Sequence, residues 1–178
     1  MKVIEHSIPG LLIFEPNLFE DQRGLFSEVF EARRYSKFLG TKIVFVQDNF
    51  SHSRINVLRG LHFQKKFPQG KLITCTNGKI FDVVVDLRTR SPTFGDMSTF
   101  ILDSVARKQL WIPPGLAHGF YVLSASADVY YKTTEFYNVH DESGIIWNDP
   151  DLAIEWPCNS PMLSEKDSQW PRLSEIRL

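Results

Sequence analysis

Hydrophobic and polar residues alternate in short runs along most of the chain, a pattern typical of β-strands with one buried face. The clearest run covers residues 79–87, where successive side chains fall on opposite sides of the strand. One side carries Phe81, Val83, Val85 and Leu87, and the other carries Ile80, Asp82, Val84 and Asp86. Similar runs predict strands within residues 3–14, 25–30, 43–46, 58–63, 72–76, 97–102, 110–112, 119–123 and 129–134.

Turn and helix signals lie between these runs. Asn77-Gly78 predicts a β-hairpin, because both central positions of a two-residue hairpin turn need positive φ. Residues 31–39 have helical composition, and Ser164 is placed to cap a second helix that starts at Ser164–Asp167. Many short strands with frequent turns predict an all-β sandwich or barrel with a few short helices, in one domain over residues 1–178.

Composition narrows the classes of protein to consider. The chain is 43% hydrophobic, which argues against disorder, and its 20 basic and 21 acidic residues leave a net charge of -1. We therefore expect neither nucleic acid nor an anionic membrane surface as a partner. The N-terminus lacks the apolar core of a signal peptide, and Cys75 and Cys158 predict free thiols, so we expect a cytoplasmic protein.

His62 is the first candidate for chemistry, because imidazole is the side chain best suited to moving protons near neutral pH. A lone histidine within an apolar strand is more often a core residue with satisfied hydrogen bonds. Here Arg59 and Lys71 lie nearby in sequence, and Gln47 and Asn49 share one face of a preceding strand. Packing alone does not explain this set, because buried polar groups need partners, and the pattern predicts a polar pocket.

His118 follows the turn Pro113-Pro114-Gly115, which directs the imidazole towards the mouth of a barrel. This motif resembles the second half of the cupin signature, whose metal-binding members carry a His-x-His pair in the first half. The corresponding residues here are His62-Phe63-Gln64, so one ligand is missing. Two histidines alone make a poor metal site, and we expect no catalytic metal.

Two further segments carry candidate residues, each with a structural alternative. Arg23, close to Glu28, could bind a phosphate through two parallel hydrogen bonds, or it could form an exposed ion pair at an edge strand. Tyr131 and Tyr137 fall on one face of a predicted strand. A phenol opposite an imidazole can act as a proton donor, and Tyr137 could stack on a base ring; either tyrosine could instead be structural.

Taken together, these motifs resemble the dTDP-4-dehydrorhamnose 3,5-epimerase family, over nearly the whole chain. The matching motifs are Asp21–Glu28, Gln47–Asn49, Val57–Gln64, Gln69–Leu72, Val85–Arg88 with Ser91–Gly95, Leu110–Phe120, Ile146–Pro150 and Leu163–Asp167. The departures are minor: a variable loop at residues 65–68, and a tryptophan, Trp170, that the family pattern does not call for.

The resemblance implies a cupin-like jelly roll that acts without metal or cofactor, as a homodimer with a shared active site. It implies a substrate, dTDP-4-dehydro-6-deoxy-D-glucose, that is inverted at C3 and C5 on the way to dTDP-L-rhamnose. The family's base corresponds to His62 supported by Asp167, its proton donor to Tyr131, and its residue beside the C4 oxygen to Lys71. Substrate contacts would come from Arg23, Phe26, Glu28, Gln47, Asn49, Arg59, Lys71, His118, Glu142 and Lys166, with Tyr137 at the thymine-stacking position.

Two other functions stay open on the sequence alone. Related enzymes invert only C3 or only C5 of other nucleotide-4-ketosugars with a similar set of residues. A metal-dependent cupin or a sugar-binding module is disfavoured, because the chain lacks the His-x-His pair and because a binding module needs no base, acid and oxyanion partner together.

Overall fold

The computed structural model describes residues 1–177, and its regular secondary structure is mainly antiparallel β-strand. The strands are β1 (Lys2–Glu5), β2 (Leu12–Glu15), β3 (Phe19–Asp21), β4 (Gly24–Phe26), β5 (Gln47–Arg54), β6 (Leu58–Gln64), β7 (Lys71–Asn77), β8 (Lys79–Asp86), β9 (Met97–Asp103), β10 (Gln109–Ile112), β11 (Leu116–Val122), β12 (Ser126–Thr133) and β13 (Glu142–Gly144). One sheet has the order β1-β2-β10-β7-β12-β5, and the second has the order β13-β6-β11-β8-β9. A separate two-stranded sheet pairs β3 with β4. The predicted all-β fold is confirmed.

The two large sheets pack face to face around an apolar core. Ile73, Leu110 and Val129 of the six-stranded sheet contact Ile80 and Val84 of the five-stranded sheet, and all five side chains are fully buried. Burial of this apolar surface is the main favourable contribution to the folding free energy. The space between the sheets is therefore where an enclosed site can form.

The alternation predicted for residues 79–87 is confirmed, and both faces of β8 are covered. Ile80 and Val84 point into the core between the sheets, whereas Val83 and Val85 pack in a second cluster on the opposite face. That cluster also contains residues of the C-terminal segment, namely Ile145, Leu152, Ile154, Trp156, Leu173 and Ile176. The packing holds the C-terminal segment, which includes Asp167, against the five-stranded sheet.

The hairpin predicted at Asn77-Gly78 is wrong. β7 pairs with β10 and β12, while β8 pairs with β9 and β11, so the chain passes from one sheet to the other at this point. Gly78 has a φ of +76°, and a Cβ built on it would lie 2.1 Å from the carbonyl oxygen of Ser126. Glycine is required by this crowded corner, which gives the same sequence signal as a hairpin turn.

The helix predictions are half right. The helix α1 (Ala32–Leu39) forms, and the Glu31 carboxylate caps it by accepting hydrogen bonds from two backbone N–H groups. The segment from Ser164 forms turns instead of a helix, although the Ser164 hydroxyl does accept the N–H of Asp167 at 3.1 Å. Pro171 disfavours helical geometry at the residue before it, which ends the segment early. A short 3₁₀ helix, Leu173–Glu175, follows.

Two predicted strand runs are shorter than expected. The run at 25–30 is a strand only to Phe26, after which the chain leaves the small sheet and enters α1. Residues 43–46 are irregular, and β5 begins at Gln47. The residue before it, Val46, already donates its N–H to the carbonyl of Thr133. In both runs the apolar pattern reflects packing of irregular chain around α1, where Phe30, Ile43 and Phe45 join one cluster.

Strands β6 and β11 approach each other unusually closely at Gly60 and Gly119. A Cβ built on Gly60 would lie 2.5 Å from the Cα of Gly119, and the pairing register shifts between His118 and Phe120. His62 and His118 are direct partners in this pairing. Directly opposite residues project to the same face of a sheet, so the fold places the two histidines side by side.

Cys75 and Cys158 are free thiols, as predicted. In the described part of the chain, no helix has both the length and the apolarity needed to cross a membrane.

Candidate active site

A cavity of about 400 Å³ opens between the two large sheets. This volume is typical of a small-molecule site. The side chains around it are Gln47, Asn49, Phe50, Ser51, Arg59, His62, Gln69, Lys71, His118, Phe120, Tyr131, Tyr137 and Glu142. The predicted polar pocket is therefore present, and nine of the residues predicted from the sequence line it.

The two walls of the cavity carry different chemistry. The six-stranded sheet contributes Lys71 from β7 and Tyr131 from β12, together with the amides on β5. The five-stranded sheet contributes His62 from β6 and His118 from β11. Because the sheets face each other, the imidazole of His62 and the phenol of Tyr131 lie on opposite walls of the cavity.

His62 is paired with a buried carboxylate. Its Nε2 lies 2.6 Å from Oδ1 of Asp167, a residue that is only 3% exposed. Burial raises the pKa of Asp167, but hydrogen bonds from His62, the Gly60 N–H and Trp170 outweigh it and lower the pKa below its usual range. An ionised carboxylate at Nε2 fixes the proton there and leaves Nδ1 of His62 as the free basic atom.

Lys71 is a buried cation beside this pair. The residue is 7% exposed, and its Nζ lies 3.5 Å from the carbonyl oxygen of His62. Removal from water lowers the pKa of Lys71 to about 8, against the opposing effect of Asp82 and Glu142. The ammonium still predominates at neutral pH, and in a dry site it can stabilise a developing negative charge.

This pKa predicts an alkaline limit to activity. As the pH rises through about 8, Lys71 loses its proton, and with it the charge that faces a developing oxyanion. We expect kcat/KM, which reports groups of the free enzyme, to fall above that pH. A pH profile of kcat/KM measures this directly, and a plateau that extends well above the midpoint would contradict a role for the Lys71 cation.

Tyr131 faces the cavity from the opposite wall. It pairs with Asn49 of β5 and Ile73 of β7, and its ring packs partly against the apolar core. Burial raises its pKa, as does the negative charge of Glu142, whereas Arg59 lowers it. Tyr131 therefore keeps its proton near neutral pH and is available as an acid.

His118 is held by a second buried carboxylate. Its Nε2 lies 2.8 Å from Oδ2 of Asp82, a residue with no exposed surface. Burial raises the pKa of Asp82, while His118 and then Lys71 act to lower it. Asp82 was not among the predicted site residues. The alternation of β8, which turns Asp82 inward with Ile80 and Val84, was the signal that could have found it.

Polar side chains at the cavity entrance form a connected set. Gln47 donates to Asn49 at 2.9 Å and accepts the N–H of Tyr137 at 2.9 Å, which confirms that the two amides share a face. Tyr137 and Lys166 both donate to Oε2 of Glu142, each at 2.8 Å. Lys166 thus reaches the site through Glu142 without lining the cavity.

Besides Lys166, three predicted contact residues lie outside this cavity. Arg23 donates to Asp21 on the β3–β4 hairpin, and its side chain is 90% exposed. Glu28 pairs with Arg34 at 2.6 Å, and Phe26 is 69% exposed. In a single chain Arg23 therefore forms an exposed ion pair, which was the structural alternative predicted for it.

Four lining residues were missed in the sequence: Phe50, Ser51, Gln69 and Phe120. Ser51 lies two residues after Asn49 on β5, so the alternation that links Gln47 and Asn49 also predicts it.

Among residues 1–177, no group of three or more His, Cys, Asp or Glu side chains is arranged to hold a metal ion. Independence from metal and cofactor stays a prediction.

Comparison with known proteins decides the family. The family model for dTDP-4-dehydrorhamnose 3,5-epimerase matches residues 5–175. The dTDP-4-dehydrorhamnose 3,5-epimerase of Shigella flexneri is 50% identical over 168 residues, which cover 94% of this chain and 93% of that protein. This chain belongs to the dTDP-4-dehydrorhamnose 3,5-epimerase family. It is therefore an isomerase that epimerises a carbohydrate, as the sequence motifs predict.

Solved structures of this epimerase family share the fold. The dTDP-6-deoxy-D-glucose-3,5-epimerase of Legionella pneumophila, in complex with dTDP-4-keto-L-rhamnose, is 48% identical with a TM-score of 0.95, covering 99% of this chain and 94% of that one. A 3'-monoepimerase of Streptomyces bikiniensis, in complex with dTDP-quinovose, is 32% identical with a TM-score of 0.90, covering 95% of this chain and 86% of that one. The cupin-like jelly roll implied by the sequence is confirmed, and a dTDP-sugar is the class of substrate.

Proposed function

We propose that this epimerase inverts C3 and C5 of dTDP-4-dehydro-6-deoxy-D-glucose and so forms dTDP-4-dehydro-L-rhamnose for dTDP-L-rhamnose synthesis. The observation that carries the proposal is the position of the His62–Asp167 pair and of Tyr131 on opposite walls of one cavity, with Lys71 among the lining residues. Inversion of a carbon needs a base on one face and an acid on the other. Family membership and the dTDP-4-keto-L-rhamnose complex of the Legionella relative support the choice of sugar.

The chemistry follows from these groups. A ketone at C4 acidifies the hydrogens on C3 and C5, and Nδ1 of His62 removes one of them. The electron pair left on carbon moves towards the C4 oxygen, where Lys71 stabilises the enolate. Asp167 stabilises the imidazolium that forms. Tyr131 then returns a proton to the opposite face of the carbon, which completes the inversion. His62 releases its proton to water and Tyr131 takes one up from water, and a second cycle then acts on the other carbon.

The rest of the cavity fits the remaining parts of the substrate. The guanidinium of Arg59 and the imidazole of His118, which both line the cavity, would bind the diphosphate. Tyr137, which is 50% exposed at the entrance, offers a ring on which thymine can stack. This local cluster accommodates an anionic substrate in a chain whose net charge is only -1.

The proposal includes a homodimer in which one chain completes the site of the other. The β3–β4 hairpin presents Arg23 and Phe26 to solvent, and Glu28 follows it. Strand β5 is an edge of the six-stranded sheet, and its Phe50 is 63% exposed while also lining the cavity. Exposed apolar side chains at a sheet edge favour association. Light scattering should give the mass of two chains, and a monomer would refute this part.

A second candidate is inversion of a single carbon, as in the 3'-monoepimerase of Streptomyces bikiniensis, which shares the fold. To separate the two, we would incubate the enzyme with dTDP-4-dehydro-6-deoxy-D-glucose and a 4-keto reductase, and identify the reduced sugar by NMR. We expect dTDP-L-rhamnose, whose formation needs both inversions. A reduced sugar inverted at one carbon only would replace the first proposal with the second. Cytoplasmic location and a single domain over residues 1–178 stay predictions.

A further inference from the structure

The carboxylate that holds His62 has a second side-chain donor. Trp170 donates its indole Nε1–H to Oδ1 of Asp167 at 3.2 Å, the same oxygen that His62 contacts at 2.6 Å. The other oxygen, Oδ2, accepts the backbone N–H of Gly60 at 3.4 Å. In residues 1–177, His62 and Trp170 are the two side chains that hydrogen-bond to this carboxylate.

The indole is held in place on several sides. Gly144 is the strand partner of His62, and a Cβ built on it would lie 2.5 Å from both Cε2 and Nε1 of Trp170. The ring meets the His62 imidazole edge to face, with centroids 6.2 Å apart. The ammonium of Lys166 lies 6.0 Å from the ring centroid and also binds Glu142 at the cavity entrance.

The backbone around Trp170 fixes its direction. The N–H of Gln169 donates to the carbonyl of Lys166, and the N–H of Ile146 donates to the carbonyl of Pro171 at 2.9 Å. The segment is therefore tied at Pro171 to the residues that follow β13. Asp167 and Trp170, three residues apart in this turn, are directed to the same side.

We propose that Trp170 is a positioning residue of this enzyme, whose indole N–H sets the orientation and the basicity of the Asp167 carboxylate and, through it, of the His62 base. The inference rests on the proposed function, in which His62 is the base. The indole N–H shares Oδ1 with the imidazole and so reduces the negative charge that Asp167 offers to His62. The carboxylate can then stabilise the imidazolium without holding the His62 proton too tightly. It also restricts rotation of the carboxylate, which keeps Nδ1 of His62 directed into the cavity.

The test is Trp170→Phe, which keeps an aromatic ring over Gly144 and removes the N–H. We expect kcat to fall about three- to tenfold with KM nearly unchanged, as for other groups that orient a catalytic residue. We also expect the acidic limb of the pH profile of kcat to move upward by about half a pH unit, because a carboxylate with one donor fewer holds the shared proton to higher pH.

Trp156→Phe is the matched control. Trp156 likewise donates its indole N–H at 2.7 Å, but to the carbonyl of Trp147, away from the cavity. This variant should lose a comparable hydrogen bond and leave the acidic limb where it is in the wild type. An unchanged limb in Trp170→Phe, or an equal shift in both variants, would overturn the proposal.

A titration of the His62–Asp167 pair by NMR, without substrate, gives the same comparison independently of turnover. We expect its midpoint to move upward in Trp170→Phe and to stay in place in Trp156→Phe. A wild-type enzyme without turnover would refute the proposed function, whereas an unmoved midpoint would refute the role of Trp170 alone.

Discussion

His62→Ala is expected to abolish solvent exchange at both C3 and C5 of the substrate. A general base contributes about 10²- to 10⁴-fold to such reactions, and here one imidazole serves both carbons, so we expect both rates to fall by at least about 10³-fold. Binding of dTDP should change little, because Arg59, His118 and Tyr137 stay in place. Deuterium uptake followed by NMR measures the two carbons separately in one sample, and calorimetry with dTDP measures binding.

His140→Ala is the control for this variant. His140 is exposed, lies in a turn and does not line the cavity, so its removal should leave both exchange rates at wild-type values. Exchange retained at either carbon in His62→Ala would contradict the claim that His62 is the single base. A large loss of dTDP affinity would show instead that the substitution disturbs the site as a whole.

Tyr131→Phe is expected to separate proton removal from inversion. The base on the other wall still removes a proton, and in deuterated water it returns deuterium to the face from which the proton left. We expect formation of inverted product to fall about 10²-fold or more, while exchange with retained configuration falls much less. The ratio of retained to inverted labelled sugar, read by NMR and mass spectrometry, measures this partition.

The neighbouring Tyr130→Phe gives a matched control. Tyr130 donates to Asp48 on the opposite side of β12 and does not line the cavity. Its variant should keep the wild-type ratio of inverted to retained product. Equal losses of exchange and inversion in Tyr131→Phe would mean that Tyr131 is not the donor.

The sequence predicted the local part of this fold better than the pairing of its strands. Alternation identified β8 correctly, because which side of a strand is buried is encoded in neighbouring residues. The Asn77-Gly78 hairpin failed because the partners of β7 and β8 are set by contacts between distant segments. A glycine needed for a crowded corner between sheets looks the same in sequence as one needed for a hairpin turn.

The residues of the site likewise divide into those that local sequence predicts and those that it does not. Gln47 and Asn49 could be placed together from strand periodicity, and the structure joins them by a hydrogen bond. The pairing of His62 with Asp167 spans 105 residues and has no local signal, so it came from the family resemblance alone. Arg23 and Glu28 shared a motif, yet a single chain leaves both away from the cavity, because proximity in sequence does not determine which surface a side chain reaches.

The measurement that most directly tests the central claim is deuterium uptake by the substrate on the wild-type enzyme. The enzyme, with and without prior treatment with a chelator, would be mixed with dTDP-4-dehydro-6-deoxy-D-glucose in deuterated water and followed by NMR. We expect uptake at both C3 and C5, unaffected by the chelator. Uptake at one carbon only would contradict the double inversion, and uptake lost on metal removal would contradict catalysis by His62, Lys71 and Tyr131 alone.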